Sequence, residues 1–415
     1  MMKRIFTILI LLCALQLTAC AQWYLFPGKK KKVETTEKKE VPVEVSPVTE
    51  ALDSSVTGLV EAGQDAECDL WYYDAPSEIS VSLILPLKSA SESPSVNFTE
   101  MYSGALLALR DLGRDGTRVN LRVIDSTSEE LDESTLSGSD VIIGPVGYKE
   151  IVSALPLCGR RMLISPLEPR TASLAEQGDN VIQSPVPWAR QIDEMLDWLQ
   201  EDLRLGDEVI VLRESSLTEP GEQSAYMLSG LQERGIIYKP MQSLDELNGE
   251  DGFRTLGMQR KYRILIASDS DSFISASVRS TGIAAELHGD LVLYSTSKVR
   301  NCVGPDVLDL YNAETRMTAA YYVDYDSQAV KDFVLSYRAL YGGEPGSFAF
   351  QGYDTVHYFV RMCREYGRLW HMRLPDSRER GLQSDFRFES GIGNGRVNQA
   401  VRRIIYGKDL SVSLL

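Results

Sequence analysis

The sequence predicts an α/β protein made of two successive sheets, each built mostly from parallel strands with helices on both faces. Two observations carry this fold class. Short runs rich in β-branched residues alternate with helical patterns, which is the order expected of a parallel sheet. The alternation then begins again near residue 188 with a second set of runs. Two sheets in succession imply two lobes.

Four runs predict the buried strands of the first sheet: ISVSLILPL, VNLRVID, DVIIGP and MLISPL. The stretch NFTEMYSGALLALRDLG, which lies between the first two, predicts a helix because its apolar residues recur at helical spacing. That apolar face consists of Phe98, Met101, Tyr102, Ala105, Leu106 and Leu109. Gly113 is placed to end this helix.

Four further runs predict the second sheet: EVIVLRES, RILIASD, LVLYSTS and TAAYYVDY. Helical patterns separate them or precede them, such as WARQIDEMLDWLQEDL and GEQSAYMLSGLQERG. The second set therefore repeats the βα order of the first.

The N-terminus predicts a targeting segment over residues 1–19. Lys3 and Arg4 give it a positive start, a short apolar centre follows, and LTAC ends it at Cys20. LTAC resembles the bacterial lipobox, in which the cysteine thiol is alkylated with a diacylglycerol before cleavage. Several acyl chains, palmitate among them, would anchor the mature protein stably. The alternative is an ordinary secretory signal with a chance cysteine.

Residues 20–76 predict a solvated tether that begins with the lipidated cysteine. The lysines, glutamates, valines and prolines after residue 29 show no apolar period. The four lysines at 29–32 are explained as solubilising residues or as neighbours of anionic lipid headgroups. The expected location is the cell envelope, facing the periplasm, and the sequence leaves the membrane leaflet open.

Composition indicates a soluble globular body after the tether. Hydrophobic residues make up 43% and charged residues 25% of the chain. The net charge is -16, and removal of Lys3 and Arg4 with the signal leaves -18. Nucleic acid is therefore not an expected partner.

The four cysteines of the body lack metal or redox spacing and allow either free buried thiols or disulfides: Cys68, Cys158, Cys302 and Cys363. No metal or cofactor is expected.

Six segments, in this order, resemble the type I periplasmic-binding fold shared by amino-acid-binding proteins of ABC importers: MYSGALLALRDL, VNLRVIDS, DVIIGPVGYKE, LISPLEP, VIQSPVPWARQIDEML and GSFAFQGYDTVHYF. A closer resemblance is to lipoproteins of this fold that often carry a LysM peptidoglycan-binding module, and to activators of penicillin-binding proteins. The resemblance covers about residues 79–410. Each motif alone is unspecific, and their order and spacing carry the likeness.

The resemblance implies that the chain crosses between the lobes three times, and that these crossings act as a hinge. Lobe 1 is then expected at 77–187 and lobe 2 at 188–325. The chain would return to lobe 1 over 326–380 as two helices and finish with the C-terminal strands of lobe 2 over 381–415.

A ligand cleft is expected where the carboxyl ends of the strands of the two lobes face each other, because helix N-termini there present free amides. The candidate ligand-binding residues in lobe 1 are Lys88, Ser89, Gly147, Tyr148, Ser165, Leu167 and Tyr353. Those in lobe 2 are Arg213, Glu214, Asp269, Ser270 and Ser295.

Each candidate has a structural alternative. Ser165, Asp269 and Tyr353 are also explained as helix-capping or turn residues. Tyr148 is also explained as cover for the cleft floor, and Arg213 and Glu214 as solvated side chains. One departure bears on the ligand. Amino-acid binders of this fold commonly carry small and hydroxyl residues after the ISP strand, whereas the sequence here continues LEPR over 167–170. A bulky acidic stretch argues against a copy of that pocket.

Catalysis is not predicted. The three histidines, His288, His357 and His371, are far apart and lack HExxH spacing, and the chain has neither a nucleophile elbow nor a P-loop. GIGNG at 391–395 is expected to be a turn between strands.

Two functions from different classes fit the sequence. The first is a lipid-anchored solute-binding protein that closes on an amino acid or a peptide-like molecule, with an ABC permease as partner. The second is a non-enzymatic scaffold or activator that holds an envelope enzyme such as a wall synthase and keeps only a vestigial cleft.

Overall fold

The computed structural model describes residues 76–415, except 216–218, 247–260, 303–306, 390 and 392. The predicted signal, Cys20, the tether and Cys68 therefore lie outside the described residues. Among the residues that are described, no helix is both long and apolar enough to cross a membrane.

Lobe 1 is built on a six-stranded sheet in which every pairing is parallel, with strand order β13-β5-β4-β3-β1-β2. The fully buried central strands are apolar on both faces, as expected of a sheet covered by helices on both sides. The strands of lobe 1 are β1 (Ile79–Leu85), β2 (Val119–Asp125), β3 (Val141–Ile143), β4 (Leu163–Ser165), β5 (Val181–Gln183) and β13 (Arg396–Val397).

Lobe 2 is built on a seven-stranded sheet in the order β15-β14-β10-β9-β8-β6-β7. The first five strands in the chain pair in parallel, and the last two run antiparallel along one edge. Its strands are β6 (Glu208–Leu212), β7 (Tyr238–Met241), β8 (Tyr262–Ile266), β9 (Leu291–Thr296), β10 (Arg316–Ala319), β14 (Arg402–Tyr406) and β15 (Val412–Leu414). The α/β class with mostly parallel sheets is confirmed.

The helices cover both sheets. They are α1 (Val96–Arg114), α2 (Glu133–Leu136), α3 (Tyr148–Cys158), α4 (Ala172–Glu176), α5 (Trp188–Asp202), α6 (Glu222–Glu233), α7 (Asp271–His288), α8 (Lys298–Asn301), α9 (Val307–Asn312), α10 (Gln328–Tyr341) and α11 (Ser347–Tyr366). Short 3₁₀ helices lie at Pro169–Thr171, Leu244–Glu246 and Gly367–Asp376.

Helices α1 and α11 pack closely together over one face of the lobe 1 sheet. Two glycines allow this approach, because a Cβ atom on Gly104 would lie 1.9 Å from the carbonyl oxygen of Ala349, and one on Gly352 would lie 2.0 Å from that of Met101. The buried face of α1 includes Phe98 and Met101, as predicted, whereas Tyr102, Leu106 and Leu109 are only half-buried.

The chain passes between the two sheets three times. The first passage lies between β5 and α5, the second follows β10 and leads to α10, and the third lies between β13 and β14. The run TAAYYVDY was predicted as a strand, but β10 ends at Ala319 and the rest of that run forms the second passage.

The C-terminal segment needs one correction. Residues 381–415 were expected to belong to lobe 2, but β13 pairs in parallel with β5 of lobe 1. A hairpin of β11 (Arg378–Arg380) and β12 (Asp385–Arg387) precedes it, and Phe386 of that hairpin packs into the lobe 1 core. The third passage therefore falls near residue 400 instead of residue 381. The glycine-rich stretch 391–395 lies between β12 and β13.

Candidate functional site

The candidate cleft residues follow strands in both lobes, as expected from the sequence. In lobe 1, Lys88, Ser89, Gly147 and Leu167 lie after β1, β3 and β4, Tyr148 begins α3, and Ser165 is the last residue of β4. In lobe 2, Arg213, Glu214, Asp269 and Ser270 lie after β6 and β8, and Ser295 lies within β9. The side chains at these positions differ in what they contact, and these contacts decide what the cleft can bind.

The loop after β1 is organised by the buried carboxylate of Asp125, the last residue of β2. This carboxylate accepts hydrogen bonds from the backbone N–H groups of Leu87 (3.0 Å), Lys88 (3.3 Å) and Ser89 (2.7 Å). The hydroxyls of Ser89 and Thr127 also donate to it, at 2.6 and 2.7 Å. Burial alone would raise the pKa of Asp125, but the hydrogen bonds from Ser89 and Thr127 outweigh it and hold the pKa well below its usual range. The Ser89 hydroxyl therefore already donates to the carboxylate of Asp125. The Lys88 side chain, by contrast, is exposed.

A glutamate of the chain occupies the N-terminus of α3. The carboxylate of Glu168 lies near the backbone N–H of Tyr148, the first residue of α3, which contributes to lowering the pKa of this carboxyl, and the Glu168 side chain is only 10% exposed. The guanidinium of Arg170 donates two hydrogen bonds to the same carboxylate, from Nε to Oε1 at 2.7 Å and from Nη2 to Oε2 at 2.6 Å. Arg170 also lies over the ring of Tyr148, 5.2 Å from its centroid. Gly147, the N-cap residue of α3, has no side chain with which to cap the helix.

This arrangement keeps Glu168 ionised. Burial would raise the pKa of its carboxyl, but the hydrogen bonds and the charge of Arg170 reverse the shift and lower the pKa. A helix N-terminus favours a negative charge, and here the chain itself supplies that charge.

Ser165 and Leu167 are not on the cleft surface in the way the sequence suggested. Ser165 is completely buried, and its hydroxyl donates to the carbonyl oxygen of Glu168 at 3.2 Å, so it is not presented to a ligand. Leu167 is half-buried and packs against the lobe 1 core. The hydroxyl expected to hold a ligand carboxylate instead fixes the loop that carries Glu168.

The lobe 2 candidates are also engaged in local contacts. The carboxylate of Asp269 pairs with the ammonium of Lys298 at 3.3 Å. Ser270 caps α7 by accepting the backbone N–H of Phe273 at 3.4 Å. Ser295 is 8% exposed, and its hydroxyl donates to the carbonyl of the next residue at 3.1 Å.

The two remaining lobe 2 candidates, Arg213 and Glu214, are half-buried at the end of β6. The cavity that Ser295 helps to line measures about 20 Å³, which is room for about one water molecule. No ligand of amino-acid size fits there.

Tyr353 lies apart from the strand-following loops. Its hydroxyl donates to the carboxylate of Asp111 at 3.2 Å, and its ring stacks on His357 with centroids 5.6 Å apart. It lines a second cavity beside the hinge. In the part of the chain that the structure describes, no group of three or more His, Cys, Asp or Glu residues could hold a metal ion. Cys158, Cys302 and Cys363 are free and buried.

Buried side chains tie the passages between the lobes together. The Arg402 side chain is 1% exposed and pairs with Asp385 at 2.6 Å. It also donates to the carbonyl oxygens of Tyr322, Leu382 and Gly381. Arg402 is the first residue of β14, and its side chain thus connects this strand to the second passage and to the hairpin.

Two further residues complete this hinge network. The side-chain amide of Asn398 donates to the carbonyls of Ser184 in the first passage (3.0 Å) and of Asp385 (2.8 Å). The buried carboxylate of Asp354 accepts the backbone N–H groups of three successive residues at the hairpin turn, 382–384, at 2.7 to 2.9 Å. Burial raises the pKa of Asp354 to about 6, although the hydrogen bonds from that turn act in the opposite direction.

Sequence reasoning missed three of these residues as organisers: Asp125, Asp354 and Arg402. Asp125 carried a readable signal, because it ends a predicted strand directly before STS and could satisfy a polar loop. Arg402 carried no such signal, because Arg403 follows it directly in the same strand and the sequence does not show which of the two is buried.

Comparison with solved structures places this geometry in a known fold. The chain is similar to a protein described as a branched-chain amino acid ABC transporter from Rhodospirillum rubrum, with a TM-score of 0.56 and 16% identity over 81% of this chain and 100% of that one. It is also similar to full-length LpoA from Haemophilus influenzae, with a TM-score of 0.50 and 12% identity over 84% of this chain and 60% of that one.

No family model matches the sequence, and no curated protein matches it. At these identities the likeness shows the fold alone. The protein has the two-lobe type I periplasmic-binding fold, with parallel sheets flanked by helices.

Proposed function

We propose that this protein is a non-enzymatic scaffold of the cell envelope, anchored through a lipid on Cys20, that binds an envelope enzyme such as a peptidoglycan synthase through its two-lobe body. The observation that carries the proposal is the carboxylate of Glu168 at the N-terminus of α3. A free amino acid would bring its own carboxylate to this kind of position, and the position is already filled.

Electrostatics supports the same conclusion. An incoming carboxylate would have to displace Glu168 from Arg170, and because the Arg170 side chain is 71% exposed, solvent screens this pair and it contributes about 0–1 kcal/mol. If Glu168 stayed in place, the two anions would repel each other inside a half-buried loop. The hydroxyls of Ser89 and Ser165 already donate to acceptors of the chain itself, so they are not free to donate to the carboxylate of a ligand.

The second candidate is a solute-binding protein that closes on an amino acid or a peptide-like molecule. The two-lobe frame with three passages favours it, because this topology permits rotation of one lobe against the other. The neighbour from Rhodospirillum rubrum, described as a branched-chain amino acid transporter, supports it by analogy of fold. The buried network around Arg402 argues against it, since rotation would strain five hydrogen bonds.

The test compares small-molecule and protein binding with the same purified protein. Calorimetry against the common amino acids and a muropeptide set is expected to give no heat of binding for the wild type. Glu168→Ala frees the helix amide and Arg170, so it is expected to acquire weak affinity for carboxylates. Glu286→Ala, an exposed change on α7, is the matched control and is expected to behave as the wild type.

The protein arm measures glycan-chain synthesis and cross-linking by purified wall synthases with and without the scaffold. A change in either rate, together with a direct complex seen by surface plasmon resonance, is the expected result. Micromolar binding of an amino acid by the wild type, with no complex with any synthase, would refute the scaffold function and support the solute-binding function.

A further inference from the structure

A second cavity lies beside the hinge and outside the loops that follow the strands at the expected cleft. It measures about 380 Å³ and is lined by the second passage, α10, α11, the β11–β12 hairpin, Arg402 and Leu414. None of the loops that follow β1, β3, β4, β6, β8 or β9 contributes to it. Its size lies within the range of small-molecule sites, which occur preferentially where domains meet.

One side of this hinge pocket is apolar. Val330 of α10, the ring of Tyr353, Leu382, Phe386 and Leu414 provide it. Leu414 belongs to β15 of lobe 2, whereas the other four residues pack in lobe 1. An occupant of the hinge pocket would therefore touch both lobes.

Most charged groups in the lining are already paired. Arg402 is saturated by Asp385 and three carbonyl groups, and Asp354 accepts three backbone N–H groups. Glu379 pairs with Arg361 and, at 3.3 Å, with Nδ1 of His357. These groups shape the pocket but have little capacity left for a ligand.

Two polar groups keep hydrogen-bonding capacity at the rim. The carboxylate of Asp324 accepts one hydrogen bond, from the backbone N–H of Asp326 at 3.0 Å. Ser327 is the N-cap residue of α10, but its side chain does not cap the helix. A carboxylate with free lone pairs and a hydroxyl next to an apolar wall fit a group that is cationic and donates hydrogen bonds. The acidic character of the whole chain would attract the same charge.

We propose that the hinge pocket is a binding site for a small amphipathic amine, with an apolar body against Val330, Phe386 and Leu414 and a protonated amine on Asp324. This inference is independent of the proposed scaffold function, because it concerns a different surface and a different ligand class. Its occupant would stabilise the relative orientation of the two lobes, since it contacts both.

The test uses a pair of probes that share an indole body and differ in the polar end, which is charged in one and neutral in the other. Tryptamine has an indole body and a protonated amine, and tryptophol replaces that amine by a neutral hydroxyl. Calorimetry with the purified full-length protein is expected to show that tryptamine binds and that tryptophol binds at least tenfold more weakly. Hydrogen exchange in the presence of tryptamine is expected to slow in residues 324–330 and 382–386.

Three variants locate the site. Asp324→Asn removes the charge and is expected to weaken tryptamine at least tenfold. Ala329→Phe places a ring into the cavity from the exposed side of α10 and is expected to abolish binding. Asp326→Asn, a fully exposed neighbour in the same turn, is the matched control and is expected to leave binding unchanged.

Circular dichroism and the melting temperature establish that each variant is folded before binding is measured. The proposal is overturned if the wild type does not bind tryptamine at millimolar concentration, if tryptophol binds as well, or if Ala329→Phe keeps full affinity. None of these outcomes bears on the scaffold function, which the synthase assay tests separately.

Discussion

Replacement of Arg402 by methionine tests whether the hinge is held by a buried ionic network. Methionine keeps the unbranched shape of the side chain but removes every donor. The guanidinium is 1% exposed and makes five hydrogen bonds, two of them to the carboxylate of Asp385 at 2.6 and 3.0 Å. The other three satisfy carbonyl groups of the second passage and of the hairpin turn.

The expected loss of unfolding free energy is about 4 kcal/mol. Removal of one partner of a buried ion pair costs about 3–5 kcal/mol, because the other charge stays buried without compensation. The Asp385 side chain is 18% exposed and has Arg380 at 4.0 Å, which favours the lower part of that range. Three unpaired carbonyl groups raise the cost again, at about 1 kcal/mol or more for each that water does not reach. The melting temperature should fall by roughly 6 °C.

Urea denaturation followed by circular dichroism, with calorimetry of the thermal transition, measures this loss. Arg402→Lys keeps the charge but lacks the planar fork, so it should lose about half as much. Arg338→Met breaks an exposed bidentate pair with Glu344 and should unfold at the urea concentration of the wild type. A loss below about 1 kcal/mol for Arg402→Met would refute the idea that this network holds the passages together.

Three further predictions follow from single residues. Cys20→Ser should release the protein from the membrane fraction, and a variant that still pellets after a salt wash would place the anchor elsewhere. Gly104→Ala should cost about 3 kcal/mol in urea unfolding because its Cβ meets the backbone of α11, whereas Gly113→Ala, with nothing within 4 Å, should be neutral or slightly stabilising. Asp354→Asn should remove a pH dependence. The folded pKa of Asp354 lies near 6, above its ordinary value of 3.8, so its contribution is complete below pH 4 and is lost as the pH rises through 6. Relative to Asp354→Asn, the wild type should lose roughly 3 kcal/mol across this window, and equal pH profiles would contradict the raised pKa.

The order of strands and helices could be predicted from the sequence because burial imposes it locally. The run ISVSLILPL is apolar at nearly every position, and β1 is correspondingly buried on both faces. The C-terminal assignment failed for a related reason. Arg396–Val397 is too short to carry a periodic signal, and its parallel partner β5 lies more than 200 residues earlier in the chain. Nothing local in a two-residue strand distinguishes one lobe from the other.

The candidate site was predictable in position but not in chemistry. Residues that follow parallel strands do gather at one edge of each sheet, and Ser89, Tyr148 and Asp269 lie there. The orientation of a hydroxyl, however, depends on the nearest acceptor in three dimensions. Ser165 turns to the carbonyl of Glu168, and Ser89 turns to a carboxylate that is 36 residues away in the chain. The cap of α7 is Ser270, whose hydroxyl accepts the N–H of Phe273, and not Asp269, for which the sequence offered a capping role.

The chain's own acidic residues account for the character of the cleft in both lobes. In lobe 1, Asp125 accepts the loop amides that would otherwise be free to bind an anion, and the carboxylate of Glu168 lies near the first amide of α3. In lobe 2, Asp269 pairs with Lys298 and lies so close to Gly221, the N-cap residue of α6, that a Cβ there would come within 1.9 Å of its Oδ2 atom. Each lobe thus brings a carboxylate to a helix N-terminus at the cleft. From a chain of this acidity we expect a preference for cationic over anionic groups between the lobes, which is the same charge preference that we propose for the hinge pocket.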